Sequence, residues 1–204
     1  LIGDIVEFVP TFLVKSNIPT IASVKPYTPL ELQGRDIYIR EACNSCHSQL
    51  VRPFRSETER YGEYSKAGEY VYDHPFLWGS KRTGPDLQRE GGKYPNLWHY
   101  LHMENPRSMS PGSIMPPYPW LIENTLDISL TPNKINALRS IGVPYPEGYE
   151  NQANDDLMKQ AEAIAIDLKK NGVPAEADKE IIALIAYLER LGTDIKAKPV
   201  VENR

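Results

Sequence analysis

The 204-residue chain has only two cysteines, Cys43 and Cys46, three positions apart. Two thiols so close cannot build a disulfide framework. Positive charge is not in excess: 23 Lys and Arg stand against 27 Asp and Glu, a formal net charge of −4. No basic face stands out, which argues against a nucleic-acid partner. No run of about eighteen apolar residues occurs, so no complete transmembrane helix is written in the sequence. The nearest approach is LIGDIVEFVPTFLV at 1–14, which Asp4, Glu7 and Pro10 interrupt. It reads either as an amphipathic surface segment or as the outer end of a membrane anchor.

Proline and tyrosine, by contrast, are abundant, at 18 and 12 residues. So many prolines imply ordered loops between short helices. Residues 15–27 read as an extended tether. Thr28-Pro29 then opens a helix, with Thr as cap and Pro in the first turn. That helix runs to about Ile39, turns Leu30, Ile37 and Tyr38 inward, and offers Gly34 for a close crossing. Residues 51–89 show no sustained period and read as a long loop, with a short hairpin about Tyr61–Tyr72. A short helix is expected over Asn96–Glu104, capped by Asn96, and irregular chain over 106–120. A helix from Thr131-Pro132 closes at Gly142, another covers 152–171, and a last one covers 176–191. In the last, Ile181, Ile182, Leu184, Ile185, Leu188 and Leu191 form an apolar stripe. Residues 193–204 read as a frayed tail.

Cys43-Asn44-Ser45-Cys46-His47 carries the chemistry. Two thiols at this spacing add across the vinyl groups of a haem, and the following histidine reaches the iron. A thioredoxin-like dithiol would follow a strand, and a structural zinc site would need four ligands. A ligating imidazole needs an acceptor for its other N–H. The Pro85 carbonyl, in Thr83-Gly84-Pro85-Asp86-Leu87, is the candidate. The sixth ligand is expected to be Met115, framed by the prolines that follow it in Gly-Ser-Ile-Met-Pro-Pro-Tyr. Met103, Met109, Met158, His74, His99 and His102 are the other candidates. Iron closed on both faces suits electron transfer. An open iron with His99 or His102 as acid/base would suit a small peroxidase.

The order of Cys-x-x-Cys-His, Gly-Pro-Asp-Leu, a helix ending Asn-Pro-Arg, and Ile-Met-Pro-Pro-Tyr resembles a class I cytochrome c over about residues 27–192. That resemblance implies a mainly α fold in which the helix before the haem motif crosses the last one. Gly34 and Tyr38 would then meet Leu184, Tyr187 or Leu188. A narrower resemblance is carried by PYTPLELQGRDIYIRE, RPFRSETERYG, YDHPFLWGSKRTGPDL and SIMPPYPWL. These are similar to subunit II of the cbb(3)-type cytochrome c oxidases, although Ala42 stands where glycine is expected before the first Cys. The implied organisation is a truncated membrane anchor at 1–14, a tether at 15–27, a cytochrome domain at 28–192 with extra helices and an insertion at 51–89, and a tail at 193–204. The resemblance implies one covalent haem c on the periplasmic side of a bacterial inner membrane. It implies an electron received from a di-haem c subunit and passed to haem b of the catalytic haem b/copper subunit. Oxygen reduction and proton pumping would belong to that subunit, and this chain would be a non-catalytic part of the oxidase. A freely diffusing cytochrome is the alternative. The aromatic and cationic insertion would dock on the catalytic subunit or wrap this haem. Arg52 and Arg82 would pair with the haem propionates. Ser80 would lie near a calcium ion shared with the catalytic subunit.

Overall fold

A capping box starts the helix that leads to the Cys43 motif. In the computed structural model, which describes residues 2–13 and 20–196, the Thr28 side chain accepts from the Glu31 amide at 3.3 Å. Glu31 returns the bond to the Thr28 amide at 2.8 Å. Two orphan donors of the first turn are thereby satisfied. The helix, α2, spans Pro29–Arg40; α1 is Ile2–Leu13. The following helices are α3 (Arg55–Tyr61), α4 (Asn96–Glu104), α5 (Pro106–Met109), α6 (Trp120–Glu123), α7 (Thr131–Ser140), α8 (Ala153–Lys170) and α9 (Glu180–Arg190). Among the described residues the only β pairing is an isolated bridge between Thr125 and Lys179.

The core is the crossing of α2 and α9. Every residue of α9 from Glu180 to Leu188 is buried, as an apolar stripe on both flanks requires. Gly34 makes the crossing possible. A Cβ there would lie 1.9 Å from the Ala183 carbonyl oxygen and 2.7 Å from Tyr187 Cβ. Next to it Tyr38 and Tyr187 pack with ring centroids 5.4 Å apart. Helices α4 and α8 pack on α9, and a second apolar cluster of Leu32, Ile135, Val143, Tyr145 and Ala153 ties α7 to the back of α2.

Several expectations are corrected. No hairpin forms over Tyr61–Tyr72: α3 ends at Tyr61 and a 3-10 turn covers Ala67–Tyr70. The N-cap position of α4 is Pro95, without a side-chain cap, and Asn96 is already the first helical residue. Residues 106–120 are not wholly irregular, because Asn105 Oδ1 accepts from the Arg107 amide and caps α5. The last helix starts at Glu180, since Lys179 is still extended where it bridges Thr125. The tail begins as a tied turn in which Arg190 pairs with Asp194. Residues 197–204 of the tail and 14–19 of the anchor and tether lie outside the described residues. In α1, Ile2, Ile5, Val6 and Val9 are exposed. Among the described residues no helix is long and apolar enough to cross a membrane.

Candidate cofactor site

The turn that carries the two thiols begins with a constrained residue. Ala42 stands in the left-handed region, φ 55° and ψ 32°. This conformation costs a non-glycine residue about 1–2 kcal/mol, which accounts for the glycine expected there. The 3-10 turn Cys43–Ser45 follows, and the His47 amide donates to the Cys43 carbonyl at 2.8 Å. Cys43 and Cys46 are both free thiols. Burial first, then the neighbouring Glu41, pushes the Cys43 thiol up to about 12.

His47 is fixed from both ends. Its Nδ1 donates to the Pro85 carbonyl at 2.8 Å, and its own carbonyl accepts from the Tyr38 hydroxyl at 2.8 Å. The first bond sets the tautomer and leaves Nε2 as the lone-pair nitrogen that binds a metal. Burial pushes the imidazole below its usual range, towards the neutral form. The ring can come this close to the loop because residue 84 is glycine: a Cβ there would come within 2.2 Å of His47 Cε1. Tyr38 and Gly84 were not singled out as site residues by sequence reasoning. The Gly immediately before Pro85 was the available signal for the second.

Cys43, Cys46, His47, Gly84 and Pro85 line a cavity of about 580 Å³ together with Met115. That size suits a cofactor pocket. Leu87, Met103, Tyr118, Leu184 and Leu188 give the same cavity apolar walls. Among the described residues no three His, Cys, Asp or Glu side chains gather to hold a metal ion. A cavity with apolar walls, two thiols and one imidazole in its lining fits a haem, whose ring supplies its own nitrogens to the iron.

The methionines and histidines expected as candidates for the sixth ligand divide by position. Met115, Met103, His99 and His102 line the cavity, whereas Met109 and Met158 do not. Met103 is buried in α4. His99 Nε2 is engaged by Glu189 at 3.0 Å. Burial, then His47 and His99, pushes His102 down to about 4, so it is neutral at ordinary pH. Met115 sits on a loop held at three points. Its amide donates to Ser113 Oγ at 3.2 Å, Arg107 Nε donates to the Ser113 carbonyl at 3.3 Å, and the Tyr118 amide donates to the Met103 carbonyl at 2.8 Å.

Arg52 and Arg82 are brought together, but by Glu57. Arg82 donates to Glu57 and to the Leu50 carbonyl. Arg52 Nε lies 3.4 Å from Glu57. Neither belongs to the cavity lining. Asp86 stands beside Arg82 at 3.5 Å, and burial pushes its carboxyl up to about 6. Ser80 is exposed on the surface of the insertion.

Among curated proteins nothing matches the sequence. A family model described as cytochrome c oxidase, mono-heme subunit/FixO matches residues 1–195. That span takes in the thiol turn, the His47 loop, the Met115 loop and both crossing helices. The chain belongs to the mono-haem FixO family of cytochrome c oxidase subunits, with the mainly helical, cytochrome c-like fold described above.

Proposed function

We propose that this chain carries one haem c, which Cys43 and Cys46 would hold covalently and His47 and Met115 would ligate, as the electron relay of a cbb(3)-type oxidase. The electron would come from a di-haem c subunit and leave for haem b of the catalytic subunit, on the periplasmic side of a bacterial inner membrane. The observation that supports this reading is the single cavity whose wall carries both thiols, the His47 ring and the Met115 loop. When bound, the haem supplies a one-electron iron couple. The chain's own residues do the rest. Pro85 holds the His47 proton at Nδ1. Tyr38 fixes the backbone of the motif. Leu87, Leu184 and Leu188 would offer the haem apolar surface, and methionine together with histidine as ligands would raise the potential.

The partner contacts follow from exposure. Phe54, Tyr64 and Trp78 of the insertion are 59%, 44% and 38% exposed. Aromatics at the surface, mixed with arginine, suit a protein interface, and we assign them to the catalytic subunit. The surface position of Ser80 suits a contact to a calcium ion shared with that subunit. The exposed apolar side chains of α1 belong on the membrane side.

The test is Met115→Ala in the purified haem-loaded protein. The native form should be low-spin and inert to carbon monoxide, and the variant should bind it. A variant that stays six-coordinate and inert removes Met115 as ligand. A native form that binds carbon monoxide turns the reading towards a peroxidase with His99 or His102 as its acid/base.

A further inference from the structure

A haem brings two carboxylates on the ring edge away from its vinyl groups. The two arginines expected to meet them are committed to Glu57, outside the cavity. Among the described residues one lysine or arginine does line the cavity, and it is Lys93.

Helix α9 shows which edge Lys93 occupies. At its start Glu180 is held by both terminal nitrogens of Arg40, at 2.6 and 2.7 Å, three residues before Cys43. At its end the Gly91 amide donates to the Leu191 carbonyl at 3.0 Å, and the Gly92 amide to Glu189 at 2.9 Å. Gly92 is the neighbour of Lys93. The helix has 11 residues, a length of about 16 Å at 1.5 Å per residue. The thiol end of the cavity and the Lys93 end therefore lie at opposite ends of α9. Carbons joined to Cys43 and Cys46 at one end would leave the haem carboxylates pointing to the other.

The lysine is also organised. Its ammonium lies 4.9 Å over the Tyr94 ring. Tyr94 stacks on Trp98 at 4.1 Å and 12°, and Trp98 stacks on His102 at 4.5 Å and 11°. Trp98 and His102, four apart on α4, share one face, Tyr94 extends the stack from just before the helix, and all four residues line the cavity. The Tyr94 hydroxyl and the Trp98 indole N–H are donors. Glu90, also on the cavity wall, is 3.6 Å from the ammonium, too long for a tight pair, so Lys93 keeps donors for a second carboxylate.

Resting on the haem reading above, we propose that Lys93, with the Tyr94 hydroxyl and the Trp98 indole, holds the haem carboxylates, and that Arg52 and Arg82 instead brace the insertion. A cation at the carboxylates favours the reduced iron, so its loss lowers the potential.

The experiment uses haem-loaded protein and two readouts, the redox-difference infrared bands of isotope-labelled haem carboxylates and the reduction potential. Lys93→Met should shift the carboxylate bands. It should also weaken reduction about tenfold, which is about 59 mV for one electron. Trp98→Phe should shift the bands, and Lys93→Arg should restore both signals. Arg52→Met should move neither. Unchanged bands and potential in Lys93→Met, or band shifts in Arg52→Met, overturn the assignment. Wild-type protein that gains no covalent haem when made with a haem-attachment system overturns the function reading, and this assignment with it.

Discussion

The α2–α9 crossing and residues 51–89, the segment read above as an insertion, support the same cavity by different means. The crossing is apolar and close: Gly34 rests on the Ala183 carbonyl, and Ile181, Ile182, Leu184 and Ile185 are buried at 1% exposure or less. Each such side chain contributes about 1.5–3 kcal/mol by leaving water. The insertion has little apolar stripe and is tied down by buried polar pairs. Arg35 Nε donates to Asp73 at 2.6 Å, and the Tyr27 hydroxyl donates to the other Asp73 oxygen at 3.0 Å. Arg89 makes two bonds to Glu69, at 2.6 and 2.8 Å. The Ser65 hydroxyl donates to the Gln49 carbonyl at 3.1 Å, and Gln49 donates to the Tyr187 hydroxyl at 2.8 Å. Apolar burial is non-directional and additive, whereas a buried ion pair holds only while both members are present. The crossing should therefore degrade gradually and the insertion abruptly.

The largest expected effect lies in the insertion. Asp73→Ala leaves Arg35 buried without its carboxylate and should cost about 3–5 kcal/mol, read as a lower denaturant midpoint of the haem-loaded protein. A loss below about 1 kcal/mol would mean that water reaches Arg35 and the contrast is overdrawn. In the crossing, Gly34→Ala forces a Cβ onto backbone and should cost about 1–3 kcal/mol or more. The same midpoint measures it, and an unchanged midpoint would show that the helices can part without penalty. The smallest effect is a gain. Ala42→Gly relieves the left-handed φ at the thiol turn and should stabilise by about 1 kcal/mol. Destabilisation would show that the Ala42 methyl packs usefully.

This contrast also decides what could be read in advance. Thr28-Pro29, Gly34, the α9 stripe and the stop at Gly142 follow from capping, close approach and period, and each is visible in a single stretch of chain. The thiol–histidine motif and its loop partners are short sequence units of the same kind. Helix α3 was not legible because RSETERY has no apolar face. Its order comes from the Arg55–Glu59 pair and from Glu57, which accepts from the Arg52 amide at 2.9 Å. For the same reason Arg52 and Arg82 were matched to haem carboxylates. Nothing local says that Glu57 will take both guanidinium groups. Lys93 carries no local signal either, because only the fold brings it beside the end of α9 and into the cavity lining.

A relay role for this chain requires a covalent porphyrin at the thiol turn. Intact mass of the chain produced beside a haem-attachment system tests it most directly, with a Cys43→Ala/Cys46→Ala form as control. The native chain should gain the mass of one haem that survives acid extraction, and the control should gain none. A native chain with no added mass, or a control that keeps it, would contradict the account.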